Sequence, residues 1–231
     1  MSEIALALYV LYIALAFGLR TALQVRRTGS TGFHGVSGRP GSPEWLAGIG
    51  FVIALVLGLT APLLAVLGAT PPIAALEHRP VQIAGIVLTL GGIAATLYAQ
   101  GAMGTAWRIG VDPSERTQLV TGGPYAHVRN PIFAAMLPTA AGLALIVPNW
   151  VALLAFATLL VAVELQVRIV EEPYLARTHG TAYNAYAARV GRFIPGSARC
   201  EVDRRLSGSA GLRARWSRHG RSAVERLSRC L

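Results

Sequence analysis

Two stretches of this chain combine residue types and spacings that suit chemistry. The first, residues 119–131, reads LVTGGPYAHVRNP and lies between two long apolar runs. Gly122-Gly123-Pro124 cannot continue a helix, because glycine adds backbone freedom while proline fixes φ and removes a donor. Pro131 suits the first turn of a new helix. The expected product is a short loop of exposed backbone N–H groups, carrying Tyr125, His127, Arg129 and Asn130, at the mouth of an apolar helix. Such a helix start favours anionic groups. The second stretch, residues 163–172, reads VELQVRIVEE. Glu164, Arg168 and Glu172 stand at i, i+4 and i+8 and are expected to share one helix face, with Glu171 beside it. Arginine grips a carboxylate through two parallel N–H donors, and a glutamate can take a proton or offset a nearby cation. Spacing alone equally admits plain intrahelical ion pairs on a solvated helix end.

The elements around these stretches are those of a membrane protein. The chain has 231 residues, 53% hydrophobic and only 14% charged, too apolar for an ordinary soluble domain. Five uncharged runs, at about 4–19, 45–67, 81–99, 131–147 and 150–163, stand out. A span needs roughly 20 apolar residues to cross a ~30 Å hydrocarbon core. The second and third runs meet that; the fourth and fifth are near the lower limit and are parted by Pro148-Asn149, which predicts a tight helical hairpin. The fifth helix is expected to continue past the membrane through Glu164 and Arg168. The first run is expected to be a mature helix, since only Glu3 precedes it and no small-x-small site closes it. Gly91, Ala95 and Ala99 recur every fourth residue, which predicts a face for close helix contact. Pro62 should kink the second helix or mark its approach to the outer surface.

All 21 basic residues are arginine. Four follow the first run, three lie between the third and fourth, and thirteen follow the fifth. The positive-inside tendency places the longer loops and the C-terminus in the cytoplasm and the N-terminus outside, in a multi-pass inner-membrane protein. Arg108 and Trp107 suit the inner interface. The net charge of +10 is matched to anionic headgroups of the inner leaflet rather than to nucleic acid, because no DNA- or RNA-reading motif is present. Residues 196–231 are expected to form an arginine-rich cytoplasmic tail, with 223–231 as a basic amphipathic helix on the inner leaflet or the tail as disordered chain. Cys200 and Cys230 both fall in the cytoplasm, which disfavours a disulfide. No metal site is expected, as His34, His78, His127, His179 and His219 are scattered without ligand spacing.

After the hairpin, residues 168–195 continue as RIVEEPYL, then HG, YNAY and GRFIP, with Gly180 splitting two short helical pieces. A GPY…RNP loop, a hairpin, and an R…EE…L…G…Y…Y…P segment in that order resemble the integral-membrane methyltransferases of the isoprenylcysteine carboxyl methyltransferase and phospholipid methyltransferase group. The resemblance covers about residues 104–195. It implies an all-α integral membrane fold of about five transmembrane helices, with a C-terminal hairpin and a cytoplasmic segment that binds S-adenosylmethionine. The organisation it implies is residues 1–103 as the first three transmembrane helices, 104–195 as the methyltransferase core, and 196–231 as the tail. Gly123, Pro124 and Tyr125 would shape the loop under the cofactor, with His127 in the same turn. Arg129 and Asn130 would lie near its amino-acid end, and Glu172, Tyr183 and Tyr186 would border ribose and adenine. Arg168 and Glu171 would face methyl transfer to a lipophilic or lipid-anchored acceptor bearing a carboxylate, amine or thiol. Many members carry histidine where this chain has Asn130, which keeps a hydrogen-bonding side chain but no titratable one. Two other readings stand beside this one: a membrane reductase of the sterol-reductase type using NADPH, and a non-enzymatic scaffold acting through its tail.

Overall fold

The computed structural model describes residues 1–33, 35–36, 38–107 and 118–197. Expectations for His34, Arg108, His219, Cys200, Cys230 and the tail from 198 onward lie outside the described residues. The chain is a bundle of helices: α1 (Ser2–Thr28), α2 (Pro43–Val66), α3 (Arg79–Met103), α4 (Pro131–Ile146), α5 (Trp150–Leu165) and α6 (Glu172–Ala187). A widened π turn, Gln166–Glu171, joins α5 to α6, and another, Ala14–Leu19, interrupts α1.

Four helical segments are long and apolar enough to cross a membrane: Ser2–Thr28, Pro43–Val66, Arg79–Ala106 and Trp150–Ala187. The chain is therefore an all-α, multi-pass membrane protein. α4 is shorter, with 16 residues, about 24 Å at the usual rise. It nevertheless runs beside α3 from the loop at 118–130 to the turn at Pro148-Asn149. Its far end is fixed by Asn149, whose Oδ1 accepts from Ala152 N (2.8 Å) to cap α5 and whose Nδ2 donates to Ala61 O (3.1 Å) on α2. Ile73 N, in the loop between α2 and α3, donates to Pro148 O (2.6 Å). The hairpin at Pro148-Asn149 is present, and Pro62 lies four residues before the end of α2.

The close contact of α3 with α4 uses a different face from the expected one. Gly85, Thr89, Gly92 and Thr96 are all buried. A Cβ on Gly92 would lie 2.2 Å from Thr139 Oγ1 and 2.8 Å from Thr139 N, and one on Gly142 of α4 would lie 2.6 Å from Gly85 O. Backbone meets backbone here because neither helix has side-chain bulk between them. Thr89, Thr96 and Thr139 return their hydroxyls to Gly85 O, Gly92 O and Ala135 O at 2.8–2.9 Å, so none of these three hydroxyls is left unmet at the helix contact. On the expected face, Ala99 is buried but Gly91 and Ala95 are exposed, and nothing stands within 4 Å of a Cβ built on Gly91.

A polar seam ties α1 to the C-terminal end of α3. Gln100 Nε2 donates to Ala16 O (2.9 Å) within the π turn, Gln24 Nε2 to Thr105 O (2.9 Å), and Arg20 Nη2 to Gly104 O. The Arg20 guanidinium also lies 4.8 Å over the ring of Trp107, an arrangement that stabilises a cation cut off from water.

Candidate functional site

Gly123 opens a 3₁₀ turn, Gly123–Ala126, at φ +60°. That region is open to glycine and strained for most other residues. The following residues extend and pair, in parallel, with the segment after α6: Val128 bridges Gly191, Arg129 N donates to Gly191 O (2.8 Å), and Asn130 N to Arg192 O (3.1 Å). Asn130 is buried, and its Nδ2 donates to the same Arg192 carbonyl at 3.2 Å. Pro131 then starts α4. This corrects the expectation of exposed N–H groups. Those of Tyr125 and of His127 to Asn130 all reach backbone carbonyls: Gly122 and Pro124 supply the acceptors within the turn, and residues 191–192, far along the chain, supply those for Arg129 and Asn130.

The pairing places two guanidiniums on one carboxylate. Glu172, the first residue of α6, accepts from Arg192 Nε at 2.8 Å (Oε1) and Nη2 at 2.7 Å (Oε2), a two-pronged grip, while Arg129 Nη2 lies 3.4 Å from Oε1. The three side chains are only 8–15% exposed, so the attraction is little screened by water. Over this cluster, Tyr186 Oη donates to Tyr125 O (2.6 Å), and the rings of Tyr183 and Tyr186 meet edge to face, 6.3 Å apart. Tyr183 Oη is buried without a hydrogen-bond partner among the described residues. Burial, with Glu171 nearby, pushes the Tyr125 phenol well above its usual range, so it stays neutral at physiological pH.

Of the expected residues, Gly123, Pro124, Tyr125, Arg129, Asn130, Glu172, Tyr183 and Tyr186 come together, and Glu171 stands close enough to bear on Tyr125. His127 lies on the exposed side of the turn. Arg168 is not in the cluster. It is 57% exposed and hydrogen-bonded to Glu164. The reason is the π turn Gln166–Glu171, whose extra residue rotates everything after it relative to α5. Glu164 and Arg168 keep their i, i+4 pairing, and Glu172 is turned toward Arg129 and Arg192. The single face expected for all three does not form.

Sequence reasoning missed Arg192 as a site residue. Its one signal was position, a cation held between Gly191 and Phe193 in an otherwise apolar closing segment. Its partner, Glu172, is twenty residues away, beyond any helical spacing rule.

Comparison with known proteins adds one finding. No curated protein matches the chain. A family model described as phospholipid methyltransferase matches residues 81–182, from the start of α3 through the loop, hairpin and π turn into α6. Over that stretch the chain is similar to the phospholipid methyltransferase family of integral-membrane methyltransferases.

Proposed function

We propose that the chain methylates a lipophilic acceptor with S-adenosylmethionine at the cytoplasmic face of the inner membrane. The observation that supports this most is the buried cluster of Glu172 with Arg129 and Arg192, where the loop, α6 and the closing segment meet. Residues 104–195 would form the catalytic core, 1–103 its membrane support, and 196–231 a tail held against anionic lipid by its arginines.

The residues suit this cofactor. Two guanidiniums against one carboxylate leave the cluster one positive charge in excess, which suits an amino-acid carboxylate. Tyr183 offers a buried hydroxyl with an unmet hydrogen bond, and the Tyr183 and Tyr186 rings offer apolar faces to a purine and ribose. The bound cofactor supplies an electrophilic methyl group on a sulfonium for in-line displacement. The chain's own part is to bind, orient and keep the site dry, where alignment of two reactants is worth up to about 7–11 kcal/mol. Glu172 holds Arg129 and Arg192 in place, Asn130 fixes the Arg192 backbone, and Gly123, Pro124 and Tyr125 shape the floor, with His127 at its outer edge. Glu171 and Arg168 lie on the acceptor side. There Glu171 would take the proton of an amine or thiol nucleophile, and Arg168 would hold an anionic one. A carboxylate nucleophile would need no base.

Calorimetric titration of the detergent-purified protein with S-adenosylhomocysteine tests this reading, with NADPH in parallel. Micromolar binding of S-adenosylhomocysteine, roughly −8 kcal/mol, is the expected result. Saturable NADPH binding instead would move the chain to the reductases. Binding of neither would leave the scaffold reading. Because Arg168 is exposed, Arg168→Ala should leave the fold and this affinity intact while lowering turnover; full activity would remove Arg168 from the acceptor side.

Gly123→Val should abolish donor binding. A Cβ on Gly123 would meet only Ala102 Cβ at 3.7 Å and Tyr98 Oη at 4.0 Å, ordinary contacts, so the penalty is conformational. Holding a β-branched residue at positive φ costs on the order of 1–3 kcal/mol, and the turn would relax away from the cluster. Gly123→Asn, which tolerates that backbone better, should retain more binding than valine. Equal affinity in all three proteins would refute the strained-turn account.

A further inference from the structure

Arg20, on α1, is a buried cation that the ion pairs of the site do not use. It is only 6% exposed. Arg129 and Arg192 share Glu172, but among the described residues no carboxylate stands at ion-pair distance from Arg20. Its Nε–H is buried and meets no acceptor there either. Such a charge is costly inside a membrane bundle, and where one persists it points to a use. The surroundings lower the cost without cancelling the charge. Gly104 O accepts from Nη2, and the ring of Trp107 lies under the guanidinium. A neutral glutamine could serve the same carbonyl, so the hydrogen bond alone does not call for a cation.

Arg20 stands in the middle of the seam. Ala16, Arg20 and Gln24, each four residues from the next, all bond the C-terminal end of α3 or the turn that follows it. The same end of α3 is the bed of the site's turn, since a Cβ on Gly123 would lie 3.7 Å from Ala102 Cβ and 4.0 Å from Tyr98 Oη. Tyr125 belongs to that turn. The Arg20 charge bears on its phenol, and so does that of Glu171, with the opposite sign. Tyr125 is 7% exposed, so little water screens either charge. Its backbone is anchored through the carbonyl that accepts from Tyr186 Oη.

We propose that Arg20 is a positioning residue of the site: its charge, set against the carboxylate of Glu171, orients the Tyr125 hydroxyl, with the oxygen toward α1 and the O–H toward Glu171. A hydroxyl both accepts and donates, so a cation on one side and an anion on the other leave it one favoured direction. The oriented O–H in turn holds the Glu171 carboxylate at the floor of the site, on the acceptor side. The service to methyl transfer rests on the methyltransferase reading; the orientation of Tyr125 does not. α1 ends well before residue 81, where the family match begins. A helix outside the matched stretch is thereby a working part of the site as well as membrane support.

The test places difluorotyrosine at position 125 of the full-length protein in lipid nanodiscs and follows its fluorine resonance against pH, fluorination bringing the phenol's ionisation into a workable range. The groups that bear on this phenol are Glu171 and Tyr186, which oppose its ionisation, and Arg20, which favours it. Arg20→Met keeps packing against Trp107 and removes the charge. The ionisation midpoint is then expected to rise by about one pH unit, the low end of what one nearby opposite charge does. Arg20→Lys keeps the charge and should restore most of that difference. Glu171→Gln should move the midpoint down, and Arg26→Met, an exposed cation of the same helix, should leave it in place. Where the methionine variant loses its fold the midpoint falls toward that of the free residue, and Arg20→Gln, which can still donate to Gly104 O, takes its place. An Arg20 that only braces α1 against α3 predicts a lower unfolding temperature in Arg20→Met with the Tyr125 midpoint unmoved, and that result would overturn the proposal. So would a lysine variant displaced as far as the methionine one. S-adenosylhomocysteine is titrated into the wild type alongside; failure to bind would strike the methyltransferase reading and leave the Tyr125 result standing.

Discussion

Glu172→Gln is expected to cost about 3–5 kcal/mol of stability and to abolish donor binding, because it leaves two buried guanidiniums without their shared carboxylate. A glutamine can accept one hydrogen bond from Arg192 but cannot offset charge. The loss should extend beyond the ion pair. Arg192 stands on the segment that pairs with Arg129 and Asn130, so releasing its side chain loosens that pairing and the turn beneath it. The 2.7 and 2.8 Å contacts to Arg192 give Glu172 a part in holding the fold as well as in shaping the candidate site. The contrast is Glu164→Gln, which removes an exposed i, i+4 pair with Arg168 worth about 0.3–0.5 kcal/mol. Thermal unfolding in detergent, followed together with S-adenosylhomocysteine affinity, distinguishes the two. A Glu172→Gln protein with wild-type midpoint and affinity would show that the cluster neither holds the fold nor shapes the donor site.

Gly92→Val should be the most damaging change within the membrane-embedded helices. Its Cβ would lie 2.2 Å from Thr139 Oγ1, 2.8 Å from Thr139 N and 3.0 Å from Ala135 O. Two of these three are backbone atoms, so rotamer changes cannot relieve the overlap, and α3 and α4 must separate. Overpacking of this kind costs about 1–3 kcal/mol and occasionally more. The separation would also strip Thr139 and Thr96 of their apolar cover and shift the loop that α4 anchors through Pro131. Its neighbour makes the control. Gly91→Ala adds a methyl group to open space and should be neutral, or stabilising by the few tenths of a kcal/mol that alanine gains over glycine in a helix. Limited proteolysis and unfolding of both variants in the same detergent test the assignment. Equal tolerance at 91 and 92 would mean that α3 packs on α4 differently.

The amino-acid sequence by itself determined the class of protein. Apolar runs of spanning length, arginines gathered at one set of loops, and a break at Pro148-Asn149 are properties of composition and short-range spacing, and they fix helices, hairpin and membrane insertion. The glycine–proline turn and Pro131 were legible for the same reason, since backbone freedom at Gly123 and the fixed φ of proline act within a residue or two. The family pattern across residues 81–182 is likewise a matter of order along the chain.

What only the tertiary structure decided depends on contacts between distant residues. Arg192 enters the cluster because the closing segment pairs with residues 128–130. Asn130 becomes a clasp on a backbone carbonyl sixty-two positions away. The π turn at Gln166–Glu171 divides Glu164 and Arg168 from Glu172, although a regular helix would have placed all three on one side. The helix-packing face of α3 moved from Gly91 to Gly92 because a one-residue step turns a helix by about 100°, and periodicity cannot say which of two small-residue faces will meet a neighbour. In each case local spacing set what was possible, and long-range pairing chose among the possibilities.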